Sequence, residues 1–245
     1  MRVLVLGASG ATGKLVVDQL IKKQINTRIL IRNSAVLSSH INQSPLVEII
    51  KGNINELDDF EMNNLINDCT IIISCLGHNV TLKGMFGNPR YLVFDAIKRI
   101  CETVKNNANK KVKLILMGTT GYTNPLSGET NSMGEKIIFS VLKLLLPPHR
   151  DNVKAADHLI TEIGKKNEII EWAIVRPDSL VNHEEESPYE VYDSPVRSPI
   201  FNAGKTSRIN VSHFITELVT VEETWIDWQC KTPVVYNKSL KDSDT

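Results

Sequence analysis

Val3-Leu4-Val5-Leu6 is an apolar run with no polar position, the pattern of a strand covered on both faces of a parallel sheet. From Lys14 to Ile21 the apolar residues return at helical spacing instead. The same switch recurs along the chain. It predicts further strands at 27–31, 46–50, 70–75, 112–117 and 170–175, and helices over 56–67, 91–107, 151–166 and 212–224. Strand and helix in alternation imply an α/β fold of the Rossmann type, a doubly wound parallel sheet, and right-handed crossovers give the order 3-2-1-4-5-6. Segments 78–90, 123–150 and 181–208 exceed this frame, and all leave carboxyl ends of strands, so they form a small substrate-side region. The second holds an apolar helix, 136–146, before Pro147-Pro148; it suits a lid, a peripheral membrane contact or the subunit contact of a homodimer. The third, rich in acids and prolines, reads as a mobile loop. One domain is expected over 1–237, followed by a flexible tail, 238–245.

Between the first strand and the first helix stand Gly7, Gly10 and Gly13, three glycines at three-residue steps. A side chain at Gly7 would obstruct a sharp turn, one at Gly10 would hold the backbone away from a pyrophosphate, and one at Gly13 would push the helix off the sheet. Ser9, Ala11 and Thr12 complete this turn, whose N–H groups and helix dipole favour phosphate. A dinucleotide is therefore the expected ligand. About 20 residues past such glycines an NAD site places an acid, but here Arg32 and Asn33 follow the second strand. A guanidinium offers forked donors to a 2′-phosphate, so NADP(H) is expected in preference to NAD(H). Ligands of such sheets lie beyond the carboxyl ends of the strands. That rule adds Asn53 and Ile54 after strand three, Cys75, Leu76 and Gly77 after strand four, Gly118 and Thr119 after strand five, and Arg176 and Pro177 after strand six.

Composition narrows the classes. Lys+Arg and Asp+Glu both number 28, and a net charge of zero argues against a general nucleic-acid binder. Cys69, Cys75, Cys101 and Cys230 form no C-x-x-C pair and read as reduced thiols, while the six histidines show no ligand pattern, so no metal is expected. A strand beginning at Arg2 leaves no room for a signal peptide and no apolar run approaches a membrane span, so a cytoplasmic protein without an integral membrane segment is expected.

The glycine turn, Arg32, 52–54, Leu76-Gly77, Gly118-Thr119-Thr120 and the strand 172–177 together resemble an atypical short-chain dehydrogenase/reductase, in the NAD(P)-binding group similar to NmrA-like proteins and biliverdin reductase B. The resemblance covers roughly residues 1–225. It implies an NADP(H)-dependent oxidoreductase that transfers hydride to a small-molecule substrate such as a flavin, quinone or carbonyl compound. One departure is Asn53 where the family has aspartate; an amide still accepts from an adenine amino group. The larger departure is catalytic. The family's Tyr-x-x-x-Lys pair is absent: Asp95, Leu126, Asp193, Val196 and Leu240 stand four residues after the five tyrosines. The nearest equivalent places Arg150 where the tyrosine would be, followed by Lys154, and an arginine releases no proton at neutral pH. Lys154 remains a candidate for the nicotinamide ribose, Thr120 matches the active-site serine or threonine, and Tyr122 is the nearest candidate proton donor. Two classes follow: a reductase whose acceptor needs no tyrosine acid, or a non-catalytic NADP(H)-sensing regulator of the NmrA-like type.

Overall fold

The computed structural model describes residues 1–78, 87, 89–107 and 111–238. β1 (Arg2–Leu6) runs into α1 (Gly13–Lys22), and β2 (Asn26–Ile31), the short α2 (Ser39–Asn42), β3 (Val47–Lys51) and α3 (Asp59–Ile66) follow. β4 (Ile71–Ser74), α4 (Leu92–Asn106) and β5 (Val112–Met117) lead to two consecutive helices, α5 (Met133–Leu145) and α6 (Pro147–Asp157). The second continues into a wider π-helical turn, His158–Ile163. The remainder is β6 (Ile170–Pro177), β7 (Ser179–Val181), β8 (Tyr189–Tyr192), β9 (Lys205–Ser207), α7 (Arg208–Thr220), α8 (Glu222–Trp228) and β10 (Val234–Asn237).

The main sheet has the order β3-β2-β1-β4-β5-β6-β10-β8. Its first six strands are parallel, in the order the pattern predicts, and β10 extends it in parallel beside β6 before β8 closes the edge antiparallel. Side-chain alternation divides the core in two. Leu4, Leu6, Ile72, Leu114, Leu116 and Trp172 face α3, α4 and α6, whereas Val3, Val5, Ile29, Ile73, Ile115 and Val175 face α1 and α7. A strand buried this way has no polar face to spare, which is why β1 reads as an unbroken apolar run.

The helix boundaries follow their caps. Asp58 and Glu61 form a reciprocal capping box that starts α3 at Asp59, later than periodicity suggests. Pro147 and Pro148 occupy the first positions of α6, so the helix expected over 151–166 begins earlier and stops at Gly164, with φ +71°. Ser207 caps α7, which starts at Arg208 and ends at Thr220, where Val221 is extended. The segment 181–208, read as a mobile loop, is instead built in: its β8 pairs with β10, and its β9 pairs with β7 in a two-stranded sheet. The helix expected over 136–146 is α5, and Met133, Ile137, Val141, Leu144 and Leu145 on it are exposed. Residues 79–86 of the insertion after β4 and residues 239–245 of the expected flexible tail lie outside the described residues. Among the described residues, no helix is long and apolar enough to cross a membrane. Cys69, Cys75 and Cys101 are buried free thiols and Cys230 is half-buried.

Candidate dinucleotide site

A cleft of about 260 Å³ opens at the carboxyl ends of β1, β2, β3 and β4, where the strand order reverses. The glycine turn forms its floor. Gly7 has φ +73°, and a Cβ there would stand 2.5 Å from the carbonyl oxygen of Cys75, so β1 and the end of β4 approach each other through this residue. A Cβ on Gly13 would stand 2.2 Å from the carbonyl oxygen of Gly7, inside the turn itself. Gly10 differs: a Cβ would meet only that same oxygen, at 3.1 Å, and its other side faces the cleft. The Gly10 N–H donates to Gly7 and closes the turn at 2.9 Å.

The start of α1 has the character of an anion site. Its first bond runs from the Lys14 N–H to the Gly10 carbonyl, so the N–H groups of Ala11, Thr12 and Gly13 precede the helical ladder. Thr12 provides no side-chain cap, and the first turn carries no acid. Three donors and the positive end of a dipole thus lie next to Gly10 without a protein acceptor among the described residues. The residues present fit a pyrophosphate.

Of the residues expected to bind cofactor, Gly7, Ser9, Gly10, Arg32, Asn53, Ile54, Cys75, Leu76 and Gly77 line this one cleft, with Leu6, Leu30, Ile31, Gly52, His78, Pro89 and Leu92. Arg32 is exposed, and among the described residues its guanidinium has no carboxylate partner. Asn33, beside it, is exposed. The amide of Asn53 donates to Glu56 at 2.7 Å, and its Oδ1 accepts the Asn55 N–H at 3.3 Å, which holds the oxygen in a fixed orientation. Cys75 is buried away from any charge, and burial pushes its thiol up to about 12.

The residues after β5 and β6 are arranged otherwise. Arg176, expected at the cofactor, is fully buried. Its guanidinium donates to both Glu129 carboxylate oxygens at 2.6 and 2.9 Å and to the carbonyls of Thr232, Tyr122 and Asp193, which saturates the fork. Pro177 accepts the Thr120 N–H through its carbonyl, and a Cβ on Gly118 would stand 2.9 Å from Ile174. Thr119 accepts the Gly121 N–H at 3.1 Å. The Thr120 hydroxyl donates to Asp178 at 3.1 Å, and that of Tyr122 donates to Asp157 at 2.9 Å. Thr120 and Tyr122 are both buried, and neither lines the cleft. Burial, then the bond to Asp157, raises the Tyr122 phenol well above its ordinary range, the opposite of what a proton donor near neutral pH requires. These side chains brace the segments that follow β5 and β6 from within. Lys154 is exposed on α6, its Nζ 4.3 Å from the Tyr91 ring centroid.

His78 is one site residue that sequence reasoning set aside. Its Nε2 lies 2.7 Å from Oδ2 of Asp151, a fully buried carboxylate that also accepts the Val93 and Phe94 N–H groups at 2.8 and 2.9 Å. Asp151 therefore ties the end of β4 to the N-terminus of α4 and to α6. The strand-end rule pointed at His78, but its partner stands 73 residues away and no local pattern links them.

This geometry, a doubly wound sheet with an uncapped glycine turn beside a cleft at its switch point, is that of a dinucleotide-binding protein. A family model described as NAD(P)H-binding matches residues 7–222, and the chain belongs to that family. No curated protein matches. Solved structures share the fold. A short-chain dehydrogenase/reductase of Veillonella parvula in complex with NADP is 16% identical with a TM-score of 0.69, over 97% of this chain and 95% of that one. A protein assigned as an NADH-flavin reductase from Streptococcus pneumoniae is 16% identical at 0.68, over 97% and 100%. ChuY, an anaerobilin reductase of Escherichia coli, is 17% identical at 0.67, over 98% of each chain.

Proposed function

We propose that the protein is an NADP(H)-dependent reductase of a small acceptor such as a flavin, a quinone or a carbonyl compound. The observation that carries the choice of cofactor is Arg32, an exposed guanidinium in the cleft at the end of β2 with no carboxylate partner among the described residues. In this reading the N–H groups of Ala11, Thr12 and Gly13 hold the pyrophosphate, with Ser9 and Gly10 alongside, and Arg32 and Asn33 take the 2′-phosphate. Asn53 and Ile54 meet the adenine, Cys75, Leu76 and Gly77 form the wall past the phosphates, and Lys154 serves the nicotinamide ribose. A dihydronicotinamide, when bound, supplies hydride. Tyr122 is not available as a proton donor to the acceptor, since it is committed to Asp157. Conjugated acceptors that take hydride without a protein acid, flavins and quinones foremost, are the substrates this arrangement suits. The solved NADP complex and the flavin and bilin reductases of the same fold support the reading.

Calorimetric titration tests it. NADPH is expected to bind more tightly than NADH, and Arg32→Ala to lose about 1.5–3 kcal/mol toward NADPH, tenfold or more in affinity, while NADH is barely affected. NADPH absorbance is expected to fall in the presence of a flavin or quinone. Equal affinity for the two cofactors in the unmodified protein would overturn the choice of NADP(H); tight binding with no oxidation by any acceptor would leave a cofactor sensor instead.

A further inference from the structure

Arg28, Arg99 and Arg176 are each held by two or more internal acceptors. Arg28 pairs with Glu48 and donates to the carbonyls of Asn64, Leu65 and Asn67. Arg99 donates to the carbonyls of Ile54 and Leu57, and Arg176 is saturated by Glu129 and three carbonyls. Arg150 is different. One Nη2 bond goes to the Tyr91 hydroxyl, the guanidinium carbon lies 5.3 Å from the Tyr91 ring centroid, and Nε is buried with no hydrogen-bond partner. A buried donor left unmade costs free energy, and among the described residues no carboxylate pairs with Arg150 or with Lys154 one turn further along.

Arg150 carries the charge here, because burial holds the His149 pKa below its ordinary 6.5. Arg150 stands with His149 in the first turn of α6, which has no acid, although helix N-termini favour acids and disfavour a cation such as Arg150. Asp151, the nearest carboxylate in sequence, is occupied by His78 and the two N–H groups of α4. The place is also the right one for a ligand. Tyr91, which backs the guanidinium, directly precedes Leu92 in the cleft wall, and His149 packs against Gly121, where a Cβ would meet its ring at 3.2 Å. The guanidinium, without a carboxylate partner among the described residues, therefore stands between Tyr91, next to the cleft wall, and the segment that follows β5, on the same edge of the sheet.

We propose that Arg150, backed by Tyr91 and flanked by His149, is the recognition site for an anionic group, a carboxylate or a phosphate, carried by the acceptor. The inference rests on the reductase reading above and deepens it by naming the substrate class. At the position where the family's tyrosine would donate a proton, this chain presents a permanent charge; with Nε buried, the donors left on the two terminal nitrogens meet the anion and select for it. Arg150 is then a specificity-determining residue. Neutral acceptors of the same redox core are the disfavoured ones.

Matched pairs test this: riboflavin 5′-phosphate against riboflavin for a phosphate, and 4-carboxybenzaldehyde against benzaldehyde for a carboxylate. Binding of each flavin is read from fluorescence quenching with NADP⁺ at saturation, so that the dinucleotide cleft is filled, and KM for all four compounds is read from NADPH oxidation. At least one charged member is expected to bind about tenfold or more tightly than its neutral partner, and the pair that shows it distinguishes phosphate from carboxylate. Arg150→Gln should level that pair, and Arg150→Lys should restore part of the preference as a point charge without the fork. NADPH affinity and far-UV circular dichroism report that the variants are folded, and Arg150→Lys serves alone where Arg150→Gln is not. Equal treatment of charged and neutral members by the unmodified protein, or a preference that survives in Arg150→Gln, overturns the proposal. Turnover without preference sinks the anion site and leaves the reductase standing. A flavin-binding preference lost in Arg150→Gln, with no turnover of any acceptor, sinks the reductase and leaves the anion site.

Discussion

The two halves of the sheet's carboxyl edge treat their polar groups in opposite ways. Beside β1, β2 and β3 the donors are left open among the described residues: the first N–H groups of α1, behind the Gly10 that lines the cleft, and the guanidinium of Arg32 in the cleft. Beyond β5 and β6 the polar side chains turn inward and satisfy one another, Arg176 with Glu129, Thr120 with Asp178, Tyr122 with Asp157. A polar residue at a strand end is thus equally suited to either use, and what separates them is whether its bonding capacity is already filled. By that criterion Arg150 belongs with the open half, although it sits on α6, which follows β5.

The sharpest way to break this comparison is Arg176→Met. Arg176 is fully buried and the Glu129 side chain only 6% exposed, so the substitution strands a carboxylate in the interior. A loss of about 3–5 kcal/mol in urea unfolding is expected, with part of it recovered when Glu129→Met is added. A variant of native stability that has lost NADPH affinity would show instead that Arg176 belongs to the open half.

Glycine substitutions sharpen the same contrast within one turn. In Gly10→Val the side chain enters the cleft, so dinucleotide binding is expected to fall below detection in a folded protein. In Gly13→Val it meets the carbonyl of Gly7, and a lower unfolding temperature is expected along with lost binding. Calorimetric titration paired with thermal unfolding separates them; a folded Gly10→Val protein that still binds NADPH would move the pyrophosphate elsewhere.

The open half was legible because its signals are local. Strand, glycine turn and helix lie within 22 residues, and the parallel order of the first six strands follows from crossover handedness. What escaped is held by distant partners. Arg176 meets Glu129 47 residues away, and Tyr122 meets Asp157 35 away, so burial of either leaves no trace in its own neighbourhood. β8 and β10 escaped for a related reason: each has four residues, and their pairing joins segments that no periodicity connects. Some missed boundaries did carry a signal. Pro147-Pro148 marks the start of α6 as well as the end of α5, and Ser207 is an N-cap by type.

The smallest expected effect concerns His158, where α6 widens into its π-helical turn. Its ring meets Phe94 edge-on at 5.9 Å, its Nε2 is buried without a partner, and burial holds its pKa below the ordinary 6.5. The unfolded chain therefore binds a proton here more readily than the folded one does. The neutral ring contributes in full above pH 6.5, and stability is lost as the pH falls from there toward the lowered folded value. In His158→Phe, which keeps an aromatic ring against Phe94 and has nothing to protonate, the unfolding temperature is expected to fall less between pH 7.5 and 5.5 than in the unmodified protein. Parallel pH profiles for the two proteins would mean that the imidazole is solvated in the folded state, and His158 would then join the open groups and not the satisfied ones.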